Sequence, residues 1–280
     1  MPSFDTPEPI SVTAHVGAGS IQFTAGDRLD TVVEVRPGDP KRDKDVRAAE
    51  QTEVTYVGGV LTVRTKERYL IGPSGSVNVT VDLPTGSRVD VTGSWVQAFG
   101  EGRLGEVHMK TSTGDARFDE TGPVQLTVSH GSITVDRIEG DAEITTNSGN
   151  MRVGLVDGSA VLKNSHGTTT VGTVTGDLRV NGTNGGIDIA RAAASVTGTS
   201  TNGHLRIAEV ARGEVQLETS NGAIEVGIRK GTAAWLDVSS NRGQVRNTLA
   251  ASEAPEQTED TVKVRARTNW GNIDIRRAKS

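Results

Sequence analysis

The sequence predicts an all-β fold: a single-chain parallel β-solenoid, expected to be right-handed, with about 18 residues per coil and an N-terminal β cap. Three observations carry this expectation. Glycines 131, 149, 167, 185 and 203 recur every 18 residues, and Gly222 follows after 19. Each opens a run in which apolar and polar residues alternate, as in "SGNMRV", "NGGIDI" and "NGHLRI", so one face of every strand is buried and the other wet. Thirty-four glycines beside only 3% aromatic residues suit many short strands separated by turns.

Residues 1–92 read as a β-sandwich-like cap continuous with the solenoid. Its strands fall on "ISVTAHV", "SIQFTA", "DTVVEVR", "EVTYVGGVLTVRT" and "SVNVTVDLP". The charged run "PGDPKRDKDVRAAEQTE" is expected to be a solvated loop or one short helix. Residues 93–280 read as solenoid repeats. The first are atypical, with "SWVQAFGEGRL" placing a turn at Gly100 and "TSTGDARF" one at Gly114.

Half a period from the main glycines runs a second series, Gly122, Gly140, Gly158, Gly176 and Gly213, with Ala194 in the missing place. Stacking the periods gives two apolar columns. One holds Val124, Ala142, Ala160, Leu178, Val196 and Val215; the other holds Val135, Val153, Val171, Ile189, Ile207 and Val226. A further apolar position at Ile138, Val156, Val174 and Val210 follows a small-residue column of Gly154, Gly172, Ala190 and Ala208, which suggests a short third side. Near the end, Gly243 and Gly271 mark turns separated by a polar insertion near 250–260, and Trp235 and Trp270 are expected to help cover the last rung.

A coil of this length cannot bury its apolar face alone, so stacking like on like is the stable solution. An antiparallel meander is the rival, because Asn-Gly is also a favoured hairpin turn. The consistent difference between the two half-repeats favours a coil with non-equivalent sides. In this reading the Thr-Asn-Gly tripeptides at 183–185 and 201–203 are corners: only the glycine persists, so Gly185→Val or Gly203→Val should destabilise a rung and Asn202→Ser should be nearly silent.

Net charge is -5, which argues against a nucleic-acid surface or an anionic membrane as partner. With no cysteine, disulfides, thiolate chemistry and Cys-ligated zinc are excluded. The start "MPSFDTPEPI" has no signal-peptide pattern and no segment approaches a membrane span. The expected location is therefore cytoplasmic, with the cell surface or secretion as the alternative.

Four stretches carry a resemblance: "VNVTVDLPTGSRVDVTGSW" at 77–95, the series of "T-x-x-G-x-I-x-V" turns, "WLDVSSNRGQVRN" at 235–247 and "ARTNWGNIDIRRA" at 266–278. In these the chain resembles the bacterial β-strand-repeat proteins labelled adhesins, domain of unknown function 4097, common in actinobacteria. The resemblance spans nearly the whole chain. It implies the repeat fold and an adhesin-like role, and it supplies no catalytic residues.

Candidate chemistry is sparse. The histidines are His15, His108, His130, His166 and His204; His130 and His166 share a column two rungs apart, about 9.6 Å, too far for one zinc ion. Asp115, Asp141, Asp177 and Glu214 follow turns, as carboxylates do in β-helical polysaccharide-degrading enzymes, and a glycosidase pair would need to be about 5 to 9.5 Å apart. Asp188 lies on a strand, outside the turn where a calcium-binding nonapeptide would need it. Asp188, Arg206 and Glu225 should stack as alternating charges, and Thr127, Thr145, Lys163, Asn181, Thr199 and Glu218 should line another face, too interrupted for an ice-ordering array. Phosphate-binding loops, dinucleotide fingerprints and nucleophile elbows are missing from the sequence.

The expected function is a non-catalytic structural or protein-interaction module, adhesin-like, without catalytic residues, metal or cofactor. Its partner would be a protein or a second copy of itself, not nucleic acid, and a small-molecule ligand is not expected. The alternatives are a β-helical polysaccharide-active enzyme and a self-assembling scaffold or filament subunit.

Overall fold

A computed structural model of the chain describes residues 1–65, 75–249 and 260–279. The polar insertion read near 250–260 lies, apart from Asp260, outside the described residues. Residues 1–139 and 140–280 form two compact units.

The second unit shows the repeat in its plainest form. A strand at Ala142–Ser148 turns at Gly149 into a strand at Met151–Val156, and the next coil opens with Ala160–His166. Successive coils pair in parallel: Ala142 stands beside Ala160, then Leu178, Val196 and Val215. On the other side Val153 stands beside Val171, Ile189, Ile207 and Val226. The periodic columns are thus true neighbours, and the antiparallel meander is excluded.

Both columns are buried, and the core of each coil lies between its two strands. One methyl-rich residue buried in every coil contributes roughly 1.5–3 kcal/mol, which only the neighbouring coils make available. The expected third side does not exist as a separate strand. Val156 and Val174, both buried, end the same strands that begin at Met151 and Thr169, after the buried–exposed alternation breaks at Gly154–Leu155 and Gly172–Thr173. The column is small there because a Cβ at Gly172 would overlap the Gly154 carbonyl.

At its end this unit leaves sequence order. The strand Gly213–Asn221 pairs outward not with Ala233–Arg242, the next strand on its side, but with Thr261–Trp270, which in turn pairs with Ala233–Arg242. On the opposite side Ile224–Ile228 pairs with Ile273–Arg277, and that strand with Val245–Asn247. The chain therefore steps over one coil position, lays down 233–247, and returns to fill the gap with 261–277.

The first unit contains the same device. Ser11–His15 and Ala18–Gly26 make a coil whose strands lie between Val60–Arg64 and Val77–Pro84 on one flank and the sixteen-residue strand Arg88–Arg103 on the other. Two antiparallel strands back the outer coil: Glu53–Val57 on Val60–Arg64 and Asp30–Pro37 on Val77–Pro84. The charged run contributes a helix, Asp43–Glu50, with Asp43 and Asp45 in its first turn, where carboxylates suit the exposed N–H groups. Gly100 is not a turn. It lies within Arg88–Arg103 beside Phe118, and a Cβ there would collide with the Phe118 ring and Leu104, so glycine here makes room in the core.

Candidate functional site

Of the carboxylates singled out by the sequence, Asp115, Asp141 and Asp177 sit at the corners just before strands, and Glu214 is the second residue of the strand Gly213–Asn221. Asp141 Oδ1 accepts from the Ser159 N–H at 2.9 Å, and Asp177 Oδ1 accepts from the Ser195 N–H at 3.2 Å. Asp115 Oδ1 does the same for Ser132 at 2.8 Å. Asn150 serves Thr168 at 3.1 Å, and Asn272 serves Gln244 at 2.9 Å. In each case a side-chain oxygen satisfies a corner N–H one coil along. Glu214 departs from the pattern, its own N–H donating to Ser195 Oγ at 3.3 Å.

The histidines are dispersed. His204 Nε2 lies 3.0 Å from Asp188 Oδ2, His108 Nδ1 lies 3.3 Å from Asp90 Oδ2, and His166 Nδ1 lies 3.3 Å from the Asn147 carbonyl. His15 meets Thr92, and His130 stands in register with Thr113. Among the described residues no three His, Asp or Glu side chains converge as a metal site.

The expected charge column is partly realised. Asp188, Arg206 and Glu225 are in register, but Asp188 turns to His204, while Glu225 is shared by Arg206 at 3.6 Å and Arg276 at 3.3 Å. Thr145, Lys163, Asn181, Thr199 and Glu218 also form a column, in which Thr199 donates to Asn181 at 2.7 Å and Lys163 reaches Glu143 at 3.7 Å.

An amide ladder was not legible in the sequence. Asn202 Nδ2 donates to Asn184 Oδ1, and Asn221 Nδ2 donates to Asn202 Oδ1, each at 2.9 Å. The Asn of Thr-Asn-Gly thus has inter-coil partners that the expectation of a nearly silent Asn202→Ser did not include, and its amide both donates and accepts in the ladder.

The tryptophans face outward: Trp235 is 64% exposed and Trp270 55%. Position 235 pairs with Lys263 on the outward-facing alternation, and the Arg242 guanidinium lies 4.3 Å above the Trp270 ring. In the first unit a cleft of about 430 Å³ opens beside Val33, Glu34, Val35, Thr52 and Val54. Its carboxylate, Glu34, is engaged by Arg36 at 2.8 Å.

The profile of the Toastrack DUF4097 family matches residues 20–276. The chain belongs to this Toastrack family. Several solved structures align with the chain at low identity. A proposed lipid-binding protein of Parabacteroides distasonis is 13% identical, with 98% of this chain and 95% of that one covered and a TM-score of 0.47. A proposed adhesin of Bacteroides fragilis is 12% identical, with 98% and 95% covered and a TM-score of 0.39. A proposed adhesin of Parabacteroides merdae is 13% identical, with 80% and 94% covered and a TM-score of 0.37. Among curated proteins none matches. Among the described residues of this Toastrack chain, no helix is long and apolar enough to cross a membrane.

Proposed function

We propose that this Toastrack chain is a non-catalytic structural and protein-interaction module, adhesin-like in role, that presents the outer faces and ends of its coils to a protein partner. The observation that carries this reading is the employment of the corner carboxylates. Asp141 and Asp177, the pair best spaced for glycoside chemistry, each hold a backbone N–H of the next coil. A general acid and its partner base must instead face a common substrate space with one proton between them.

The test is direct. The full chain, incubated with a panel of plant and bacterial polysaccharides, should release no reducing ends. Asp141→Ala and Asp177→Ala should each cost about 1 kcal/mol of stability and lower the melting temperature, because a corner N–H loses its partner. Polysaccharide turnover that disappears in the doubly substituted, still folded chain would make the protein an enzyme and overturn the reading.

A further inference from the structure

We propose that the outer edge of strand Ala233–Arg242 is a dimer interface, on which the same edge of a second copy of this chain docks antiparallel about a two-fold axis through Val238. The inference rests on the interaction-module reading and deepens it by naming the partner.

Among the described residues this strand pairs with Thr261–Trp270 alone, and the other strand of its coil, Val245–Asn247, pairs with Ile273–Arg277 alone. The Ala233 N–H donates to the Asp260 carbonyl at 2.9 Å, on the side of Thr261–Trp270. Backbone groups alternate in direction along a strand, so those of Ala234, Leu236, Val238 and Ser240 point to the open edge. The interior of the coil is open at the same place. Leu236 and Val238 face it yet are only half-buried, whereas their register partners Val264 and Ala266 are 1% and 0% exposed. On the coil's other strand Val245, in register with the buried Ile273, is 43% exposed. A single extended segment would pair with Ala233–Arg242 and leave both the edge of Val245–Asn247 and the interior between the two strands open. Covering all three takes an object with two strand edges and an apolar interior at the same spacing, and the outer coil of a second copy is such an object.

The edge is also complementary to itself. Antiparallel pairing must set inward residues against inward residues, so the two-fold falls on a residue rather than between two. The longest overlaps put it at Asp237 or at Val238. At Asp237 two carboxylates would stand directly opposite each other, which destabilises a strand pair. At Val238 they move apart: each Asp237, held by Arg265 and Arg267 of its own chain, faces the Ser239 hydroxyl of the other copy. Trp235 then faces Asn241 and Leu236 faces Ser240, while Val238 meets its own counterpart with the two Leu236 side chains on the diagonals. The edge is ten residues long and has neither the lysine nor the proline that would blunt it. The strand spans about 33 Å and the core behind it is about 10 Å thick, so with the strands' own backbone the two ends bury on the order of 1,000 Å² together, near the lower bound for a specific interface. The dimer is accordingly reversible. It is also closed, because the two-fold occupies the edge of both copies and no third copy adds there.

Sedimentation velocity of the full chain from about 1 to about 200 µM should show monomer giving way to dimer as concentration rises, with no larger species. The chain has no cysteine, so single introduced thiols report the register. Val238→Cys brings two thiols together on the axis, where Cα atoms about 5.5 Å apart admit a disulfide, and should cross-link with oxidised glutathione. Asn241→Cys, at an exposed position on the same strand but about 20 Å from its counterpart, should not. Val238→Pro removes an N–H that no described strand uses, at an edge position that tolerates proline, and should lower dimer affinity at least about tenfold while the monomer keeps its melting temperature. Should the proline variant fail to fold, Ser239→Asp makes the same test: it sets a carboxylate against Asp237 of the other copy twice per dimer and should weaken association at least about threefold. A chain that stays monomeric throughout, growth beyond the dimer, cross-linking of Asn241→Cys but not of Val238→Cys, or a dimer that neither Val238→Pro nor Ser239→Asp weakens overturns the interface. None of these results bears on the non-catalytic reading, which the polysaccharide assay decides.

Discussion

At Gly185 two constraints meet that no other residue satisfies together. Its φ is +137°, a region that L side chains avoid, and a Cβ there would overlap the Gly167 carbonyl one coil back. Gly185→Val should therefore cost roughly 2–5 kcal/mol, combining backbone strain with overpacking against a neighbour that is itself backbone and cannot yield. Thermal or urea unfolding checks this, and a loss below about 1 kcal/mol would mean that the corner relaxes. The adjacent amides act more gently. Asn202 bonds to both Asn184 and Asn221 in an exposed ladder, so Asn202→Ala should cost no more than about 1 kcal/mol. Asn184→Ala and Asn202→Ala together should cost less than the sum of the two, because the bond they share can be lost only once, and strict additivity would show that this bond contributes nothing. The glycines were legible because a corner admits no substitute. The ladder was not, because its bonds run between residues 18 or 19 apart and become visible only once the stacking register is known.

At the scale of elements the repeated strands were read from their alternation, which period two makes unambiguous where one face is buried. Gly100, expected as a turn, lies inside a strand. Glycine marks either a turn or a close approach within a strand, and sequence alone does not separate them: Gly100 yields space to Phe118, and Gly172 lies against the Gly154 carbonyl. The charged run by itself allows a helix or a loop, and the anchor of the helix Asp43–Glu50 lies distant in sequence. Asp45 is 1% exposed and accepts from the Ser76 N–H at 3.0 Å, the Ser76 hydroxyl at 3.1 Å and the Asp39 N–H at 3.2 Å. The Ser76 N–H above all, with the Ser76 hydroxyl and the Asp39 N–H, holds the carboxyl below its ordinary range against the opposing effect of burial. A carboxylate lowered in the folded state contributes stability that is fully present above its unfolded value, about 3.9, and is lost as pH falls through the folded one. Asp45→Asn should accordingly be less stable at pH 7 by about 1–3 kcal/mol, and should lose less of its remaining stability between pH 5 and pH 2 than the parent chain. Parallel pH dependence in the two proteins would show that Asp45 is not the titrating anchor.

At the scale of the whole chain the ends of the repeat array are where sequence order and spatial order part. Periodicity could not announce this, because a coil inserted out of turn carries the same apolar columns as one laid down in turn: Val262, Val264 and Ala266 are as buried as Val215 and Leu217 beside them. The consequence is mechanical. In an ordinary repeat array the last segment has one neighbour and frays first. Here Thr261–Trp270 is held on both flanks, by Gly213–Asn221 and by Ala233–Arg242, and Ile273–Arg277 likewise lies between Ile224–Ile228 and Val245–Asn247. Among the described residues, the strands of the outer coil 233–247, though earlier in the chain, pair only with those of the later one. Native-state hydrogen exchange should therefore show slow amides at 262–275 despite their place near the C-terminus, and faster ones at 234, 236 and 238, whose N–H groups face the open edge. Ala266→Asp, which puts an unpaired charge into a fully buried site between the two coils, should release 233–247 and 261–277 together while the coils up to Gly213–Asn221 stay protected. If 261–277 instead exchanged freely while 233–247 stayed protected, the returning coil would not be the element that holds the outer one in place.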